Sequence, residues 1–225
     1  MYEELKEIIS RAHNIVFFGG AGVSTESGIP DFRSESGLYS AKSEFGYRPE
    51  EMLSGDFFKA HTATFFDYYK RNLVACYAQP NKAHLALAKL EQQGKLSAVI
   101  TQNVDGLHQM AGSKNVLELH GSMQRNTCLC CGKVYDLSYI LDYSHCEDGV
   151  PKCEACGGII KPDVVLYGEL LDEECIKAAV DAIASADVLI IGGTSLIVYP
   201  AAAFVEYFSG DKLVLINKST TNMDK

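Results

Sequence analysis

Four short apolar runs, IVFF at 15–18, AVI at 98–100, VLII at 188–191 and LVLI at 213–216, alternate with stretches of helical spacing such as 83–90 and 174–183. That alternation predicts an α/β fold, a Rossmann-like, doubly wound parallel sheet with helices on both faces. Three of the runs exit into polar or glycine-rich loops, GGAG, TQNVD and GGTS. In a doubly wound sheet such loops converge on one crevice at the carboxyl ends of the strands, where a dinucleotide binds. At 225 residues, 47% of them hydrophobic, the chain can bury one full core of this kind and carry a smaller insert.

Two stretches break the alternation. Residues 34–79 are rich in aromatic side chains and read as short helices, FFKAHTATFFDYYKRNL among them, while 122–160 carry six of the eight cysteines. Together they are expected to form a small domain made of a zinc ribbon and a helical insert. The expected division assigns 1–35, 80–121 and 161–225 to the Rossmann-like domain, 36–79 to the helical insert and 122–160 to the zinc ribbon. Cys128 and Cys131 form one CxxC pair and Cys153 and Cys156 another, with 21 residues (132–152) between them, close to the usual zinc-ribbon spacing. Four thiolates fill a tetrahedral shell and leave no position for water, so one structural Zn2+ is expected. Gly132 and Gly157 follow the pairs and let the backbone curl so that amides face the sulfurs. Cys76 and Cys175 stand alone in helical patterns and read as reduced core cysteines. Cys130 and Cys146 are spare thiols, and Cys130 could exchange ligand roles with its neighbour Cys131.

A formal net charge of −9 argues against direct nucleic-acid binding, because phosphates need a basic surface. The N-terminal MYEELKEIISRAH spaces Leu5, Ile8, Ile9 and Ala12 at helical intervals and carries acidic residues early, unlike a signal peptide. No apolar run approaches the ~20 residues that span a bilayer. Cysteines in CxxC pairs fit a reducing compartment, so a cytoplasmic protein without a membrane partner is expected.

Chemistry concentrates in three places. GGAGVSTESGIPDFR at 19–33 reads as a phosphate cradle, in which glycines admit backbone N–H groups close to an anion and a helix starting near Ser24 or Thr25 adds its positive end. Glycine at a strand exit also serves positive φ alone. Within PDFR, Asp31 and Arg33 fit a surface ion pair as well as a ligand site, and Phe32 fits a core aromatic as well as a cover over a nicotinamide. In TQNVDGLH, Asn103 and Asp105 place an amide and a carboxylate at the sheet edge, where Asp105 could equally cap the helix GLHQM. His120 ends the alternating run 116–119 and lies between that loop and the cysteine-rich stretch, and a base with an ordinary pKa of ~6.5 can take a proton at neutral pH. Taken alone, a histidine here is more often a structural hydrogen-bonder. Packing or capping is the preferred reading for His84 and His108.

With GAGVSTESGIPDFR, TQNVDGLH, LHG, the two CxxC pairs, KPDVVLYGE, GGTSL and LINKS in this order, the chain resembles the sirtuins, the NAD-dependent protein-lysine deacylases, and among them the short prokaryotic deacetylases. The resemblance runs from residue 12 to 217. It implies an inverted-topology Rossmann domain beside the small domain, with NAD and acyl-lysine entering the cleft from opposite sides. Carried over by position, it implies NAD contacts from Ala21, Thr25 and Arg33, with Phe32 gating the nicotinamide. Gln102 and Asn103 then meet ribose, Val104 and Asp105 the carboxamide, Thr194 and Ser195 the phosphates, and Asn217 the adenosine ribose. His120 becomes the general base, with Asn103 its catalytic companion. Val165, Tyr167, Gly168 and Glu169 match the segment that pairs as a strand with substrate peptide, and Val198 the opposing wall of the acyl-lysine tunnel.

The implied reaction begins with attack of the acyl oxygen on the nicotinamide ribose and release of nicotinamide. His120 then removes a proton from the ribose hydroxyls, and water finally yields deacylated lysine and O-acyl-ADP-ribose. The partners implied are acyl-lysine-bearing proteins or peptides, and the enzyme is expected to be a monomer. A mono-ADP-ribosyltransferase would use the same NAD fold, and a zinc-ribbon binding module would not need His120, Asn103 and Asp105 together. Members of the family usually continue through another strand and helix, whereas this chain ends at Lys225, shortly after LINKS. Sirtuins that prefer acidic acyl groups carry a YxxR pair on the helical insert. The matching positions here are Phe66 and Tyr69, with Arg71 roughly 200° around the helix from Tyr69. Acetyl and longer apolar acyl groups are therefore expected to be removed, and succinyl poorly.

Overall fold

The computed structural model describes residues 2–31, 45–74 and 77–221; Phe32, Arg33 and Cys76 lie outside the described residues. In chain order the helices are α1 (Tyr2–Arg11), α2 (Pro49–Met52), α3 (Gly55–Ala60), α4 (Thr62–Asn72), α5 (Lys82–Gln92), α6 (Leu107–Met110), α7 (Leu137–Leu141) and α8 (Glu173–Ser185). The strands are β1 (Ile15–Gly19), β2 (Leu96–Thr101), β3 (Val116–Glu118), β4 (Gly121–Cys128), β5 (Val134–Asp136), β6 (Cys146–Glu147), β7 (Val150–Pro151), β8 (Ile160–Val164), β9 (Val188–Gly192) and β10 (Lys212–Ile216).

All four apolar runs are strands of one parallel sheet, ordered β10-β9-β1-β2-β3, with the 116–119 run supplying the edge strand β3. Alternate residues of β1 enter opposite cores. Val16 and Phe18 pack with Ile100, Leu189 and Ile191 under Ala179 and Ile183 of α8, whereas Ile15 and Phe17 pack with Val99 and Val188 against Ala12 and Leu87. A strand covered on both faces has no position for a polar side chain, which is why the central runs of β1 and β9 are continuously apolar, whereas the edge run 213–216 is partly exposed. The chain winds outward in both directions from β1, so the strand order reverses between β1 and β9. These two strands end level with each other, Gly19 opposite Gly192, and the crevice of a doubly wound sheet lies at that point.

The remaining strands build the small domain. β4 lies between β5 and β8 in an antiparallel sheet, and β6 and β7 form a two-stranded ribbon. The helices α3 and α4 share a single core with it: Phe58, Phe65, Phe66 and Tyr69 pack with Cys128, Ile140, Cys153 and Ile160. Phe58 and Phe65 meet edge to face at 5.0 Å, as do Phe65 and Phe66 at 5.4 Å. Each such ring stabilises the fold by about 1.5–3 kcal/mol through burial alone. Phe66 and Tyr69, at the positions where a YxxR pair would stand, are fully buried packing residues, and Arg71 pairs with Asp67 at 2.8 Å on the surface of α4.

Candidate active site

The exits of β1 and β9 touch through glycine. Gly22 N–H donates to the Gly193 carbonyl at 2.8 Å, and a Cβ on Gly22 would lie 2.8 Å from Gly193 Cα, so no side chain could separate the two loops. The loop after β1 runs as two 3-10 turns, Ala21–Val23 and Thr25–Ser27, and no α-helix starts at Ser24 or Thr25. Docking on Gly193 holds the first turn tight, and Gly28, at φ 85°, ends the second before a helical ladder can begin. The expected helix end is thus replaced by short turns.

Ser24, 1% exposed, is the hub of this edge. Its hydroxyl donates to Asp105 Oδ2 at 2.7 Å and accepts from Asn103 Nδ2 at 3.0 Å. The other Asp105 oxygen accepts from Leu107 N–H at 2.9 Å, so one carboxylate both steadies the start of α6 and joins the network. Gln102 Nε2 donates to Thr194 Oγ1 at 3.1 Å and ties the loop after β2 to the loop after β9. His120 Nδ1 lies 3.0 Å from the Gln102 carbonyl. A carbonyl only accepts, so Nδ1 carries the proton and Nε2 is the basic atom. Burial lowers the His120 pKa below its ordinary value, opposed by that hydrogen bond.

His84 and His108 pack beneath the same loop with ring centroids 4.7 Å apart. Burial, helped by His84, pushes His108 down to about 3; burial also lowers His84, against the pull of Asp105. Both rings are neutral packing groups, and His84 Nδ1 accepts from Asn81 N–H at 3.2 Å in a capping box. The packing and capping expectation describes them well.

On the facing side, the segment after β8 bridges the two parts of the molecule. Val165 N–H donates to the His120 carbonyl at 2.9 Å, while Tyr167 N–H donates to the Leu53 carbonyl at 2.9 Å and Gly55 N–H to the Tyr167 carbonyl at 3.0 Å. Glu169 accepts from Leu166 N–H at 2.9 Å and from Lys161 Nζ at 3.0 Å.

Between the sheet edge and this segment lies a cleft of about 1880 Å³. Its sheet side includes Ala21, Thr25, Gln102, Asn103, Val104 and Asp105, with Thr194, Ser195, Val198 and Asn217 from the loops after β9 and β10. Its other side includes Val165, Tyr167, Gly168 and Glu169, and His120 stands between the two. The fold therefore gathers every described site residue expected from the sequence, the cysteines apart, into one cavity. Ser24 was not among them. It sits inside the glycine-rich motif, but its partners are 79 and 81 residues away in the chain, and only the folded sheet reveals them.

The cysteines form a separate cluster. The sulfurs of Cys128, Cys131, Cys153 and Cys156 all lie within 4.8 Å of one another, with Cys128–Cys156 at 3.5 Å and Cys131–Cys153 at 3.6 Å. Four Zn–S bonds of ~2.3 Å in a tetrahedron place the sulfurs ~3.8 Å apart, so the donor set fits one zinc ion. Gly132 and Gly157, both at φ 74°, return their N–H groups to the Cys128 and Cys153 carbonyls at 3.0 and 2.8 Å, giving both CxxC turns the same shape. Cys130 is exposed and outside the cluster, Cys146 lies 3.4 Å from Lys70 Nζ, and Cys175 is half-buried on α8. Among the described residues, no helix is long and apolar enough to cross a membrane.

Comparison with known proteins places this architecture. A Clostridium tetani protein named NAD-dependent protein deacetylase is 62% identical over 223 residues, covering 99% of this chain and 89% of the relative. A protein of the same name from Clostridium acetobutylicum is 60% identical over 221 residues, covering 98% and 89%. Among solved structures, a Sir2 protein with a p53 peptide and NAD+ superposes with a TM-score of 0.86 at 38% identity, over 100% of this chain and 89% of that one. A Sir2 protein bound to acetylated peptide gives 0.86 at 36% identity with the same coverage. The Sir2 family model matches residues 20–200. The chain belongs to the Sir2 family.

Proposed function

We propose that this protein is an NAD-dependent protein-lysine deacetylase, which transfers the acyl group from lysine to ADP-ribose and releases nicotinamide and O-acyl-ADP-ribose. The observation that carries the reading is His120, with Nδ1–H tied to Gln102 and Nε2 left basic, standing between the two sides of one cleft. NAD supplies the ADP-ribose that accepts the acyl group.

Ala21, Thr25 and Arg33 contact NAD, Thr194 and Ser195 take its phosphates, and Phe32 covers the nicotinamide. Gln102 and Asn103 hold ribose and Asn217 the adenosine ribose, while Val104 and Asp105 hold the carboxamide. Ser24 keeps Asn103 and Asp105 in register. His120 Nε2 takes a proton from a ribose hydroxyl, and Asn103 orients the reacting groups. Phe32 and Val104 would keep out water that would otherwise capture a reactive sugar cation.

Substrate peptide adds as a strand along Val165, Tyr167, Gly168 and Glu169, and acyl-lysine passes between Val165 and Val198. Cys128, Cys131, Cys153 and Cys156 would hold a zinc ion in a shell with no position left for water, giving it a structural role in the small domain. The enzyme works as a cytoplasmic monomer without nucleic-acid or membrane partners. The Rossmann-like domain comprises 1–35, 80–121 and 161–225, from which β8 reaches across to complete the small antiparallel sheet, and the inserts 36–79 and 122–160 form the rest of the small domain.

Mass analysis of an acetylated peptide incubated with enzyme and NAD tests this. The expected products are unmodified lysine and O-acetyl-ADP-ribose, and His120→Ala should slow their formation by ~10²–10⁴ while NAD still binds. A gain of ADP-ribose mass on the peptide would establish the transferase reading instead. Unimpaired turnover by folded His120→Ala would remove His120 from the base role.

A further inference from the structure

An N-cap needs one acceptor, and Asn81 supplies it: Oδ1 accepts from Ala83 N–H at 2.9 Å at the start of α5. The amide nitrogen of the same side chain faces elsewhere. Asn81 Nδ2 donates to the Val23 carbonyl at 2.7 Å and to Ser27 Oγ at 3.0 Å, across more than 50 residues of chain. One acceptor belongs to each 3-10 turn of the loop after β1, and Ser24, between them, holds Asp105 and Asn103. Asn81 also lines the cleft.

We propose that Asn81 is a positioning residue for NAD. It fixes one turn relative to the other and so sets the direction in which Ser24 aims Asp105 and Asn103 into the cleft. Short 3-10 turns are held by poorly aligned i→i+3 bonds, so such a loop takes its shape from what it docks against. Here Gly22 docks on Gly193 at one side and the Asn81 amide grips the other. Aspartate, serine or threonine would cap α5 as well, but a carboxylate has no proton to give, and a hydroxyl has only one and a shorter reach. The proposal rests on assigning this loop to NAD, and the test separates the two.

Asn81→Ser and Asn81→Asp keep the cap acceptor and lose the paired donor. NAD binding by calorimetry, melting temperature, and steady-state kinetics with NAD and acetyl-peptide varied separately provide the readouts, with Asn103→Ala as a control for the cleft assignment. Both variants should melt close to wild type and raise the Kd and KM for NAD roughly tenfold, the scale of two lost hydrogen bonds, with the peptide KM within about twofold. Unchanged NAD affinity in Asn81→Ser overturns the proposal. So does an effect confined to Asn81→Asp, which would trace to the new charge, or a matched rise in both KM values with a lowered melting temperature, which would be a global lesion. Should neither variant fold, Ser27→Ala removes one of the two acceptors and should raise the NAD KM about threefold, one hydrogen bond's worth; no rise overturns the proposal. If Asn103→Ala leaves NAD binding untouched, the cleft assignment fails and the proposal with it.

Discussion

The two sides of the cleft are ordered by different physics. On the sheet side, parallel strands end in register and their exit loops are locked by glycine contact and a buried polar network through Ser24, Asn103, Asp105, Gln102 and Thr194. On the small-domain side, a three-stranded antiparallel sheet and a two-stranded ribbon are held by a block of aromatic side chains closed by four thiols. One wall is fixed by backbone geometry and the other by side-chain content and a metal site. His120 stands on the seam, its ring bonded to Gln102 on the first and its carbonyl to Val165 on the second. The first wall should therefore survive insults that dissolve the second.

Removing the metal is the strongest way to break this comparison. Elemental analysis should find one zinc per chain, and a strong chelator, or Cys131→Ser, should abolish deacetylation by unfolding the small domain. Apparent binding energies of ~10–16 kcal/mol in isolated zinc fingers set the scale of what is lost. Hydrogen exchange should then show amides of β4, β5 and β8 losing protection while those of β1, β2 and β9 keep theirs. Simultaneous loss in both groups would mean that the walls are one cooperative unit, and a folded, active, zinc-free preparation would sink the metal assignment.

Acid sharpens the contrast at the seam. His120 acts as a base only when neutral, and burial lowers its pKa below ~6.5, so kcat/KM should hold level on the alkaline side and fall about tenfold per pH unit only below that lowered value. Stability carries the same sign through His108. Its folded-state pKa, about 3, lies below the unfolded value, so the unfolded chain binds more protons between the two. The stabilisation is complete above the unfolded value and drains away as pH falls toward 3, which requires the rate profile to be taken alongside a melting curve. A limb centred well above 6.5 would contradict the buried-base geometry.

What could be read from the sequence divides along the same line. The central strands β1 and β9 are legible because a strand buried on both faces is apolar at every position, and the zinc cluster because CxxC turns are local. The resemblance supplied the identity of the cleft residues. The Ser24 hub, the Asn81 clamp and the pairing of Tyr167 with the helical insert were not legible, because each joins residues that only the tertiary fold brings together. The expected helix at Ser24 failed for a similar reason: propensity near a glycine-rich turn cannot anticipate docking on Gly193, a contact made by the far half of the chain.

The smallest expected effect concerns acyl choice, which tests the helical insert on the small-domain side. A carboxylate carried into a mainly apolar tunnel needs a charged hydrogen-bonding partner, or it loses hydration without compensation. Phe66 and Tyr69 offer none, being buried within the aromatic core, and Arg71 is engaged with Asp67 on the outer face of α4. Succinyl-lysine should therefore be a poorer substrate than acetyl-lysine by roughly tenfold or more, since an uncompensated buried polar group costs at least ~1–3 kcal/mol. Butyryl-lysine, apolar throughout, should lie close to acetyl. The kcat/KM values for one peptide carrying each group in turn decide the matter: a succinyl value equal to or above the acetyl value would mean that some other cation reaches the tunnel, and that this wall is less purely apolar than its core.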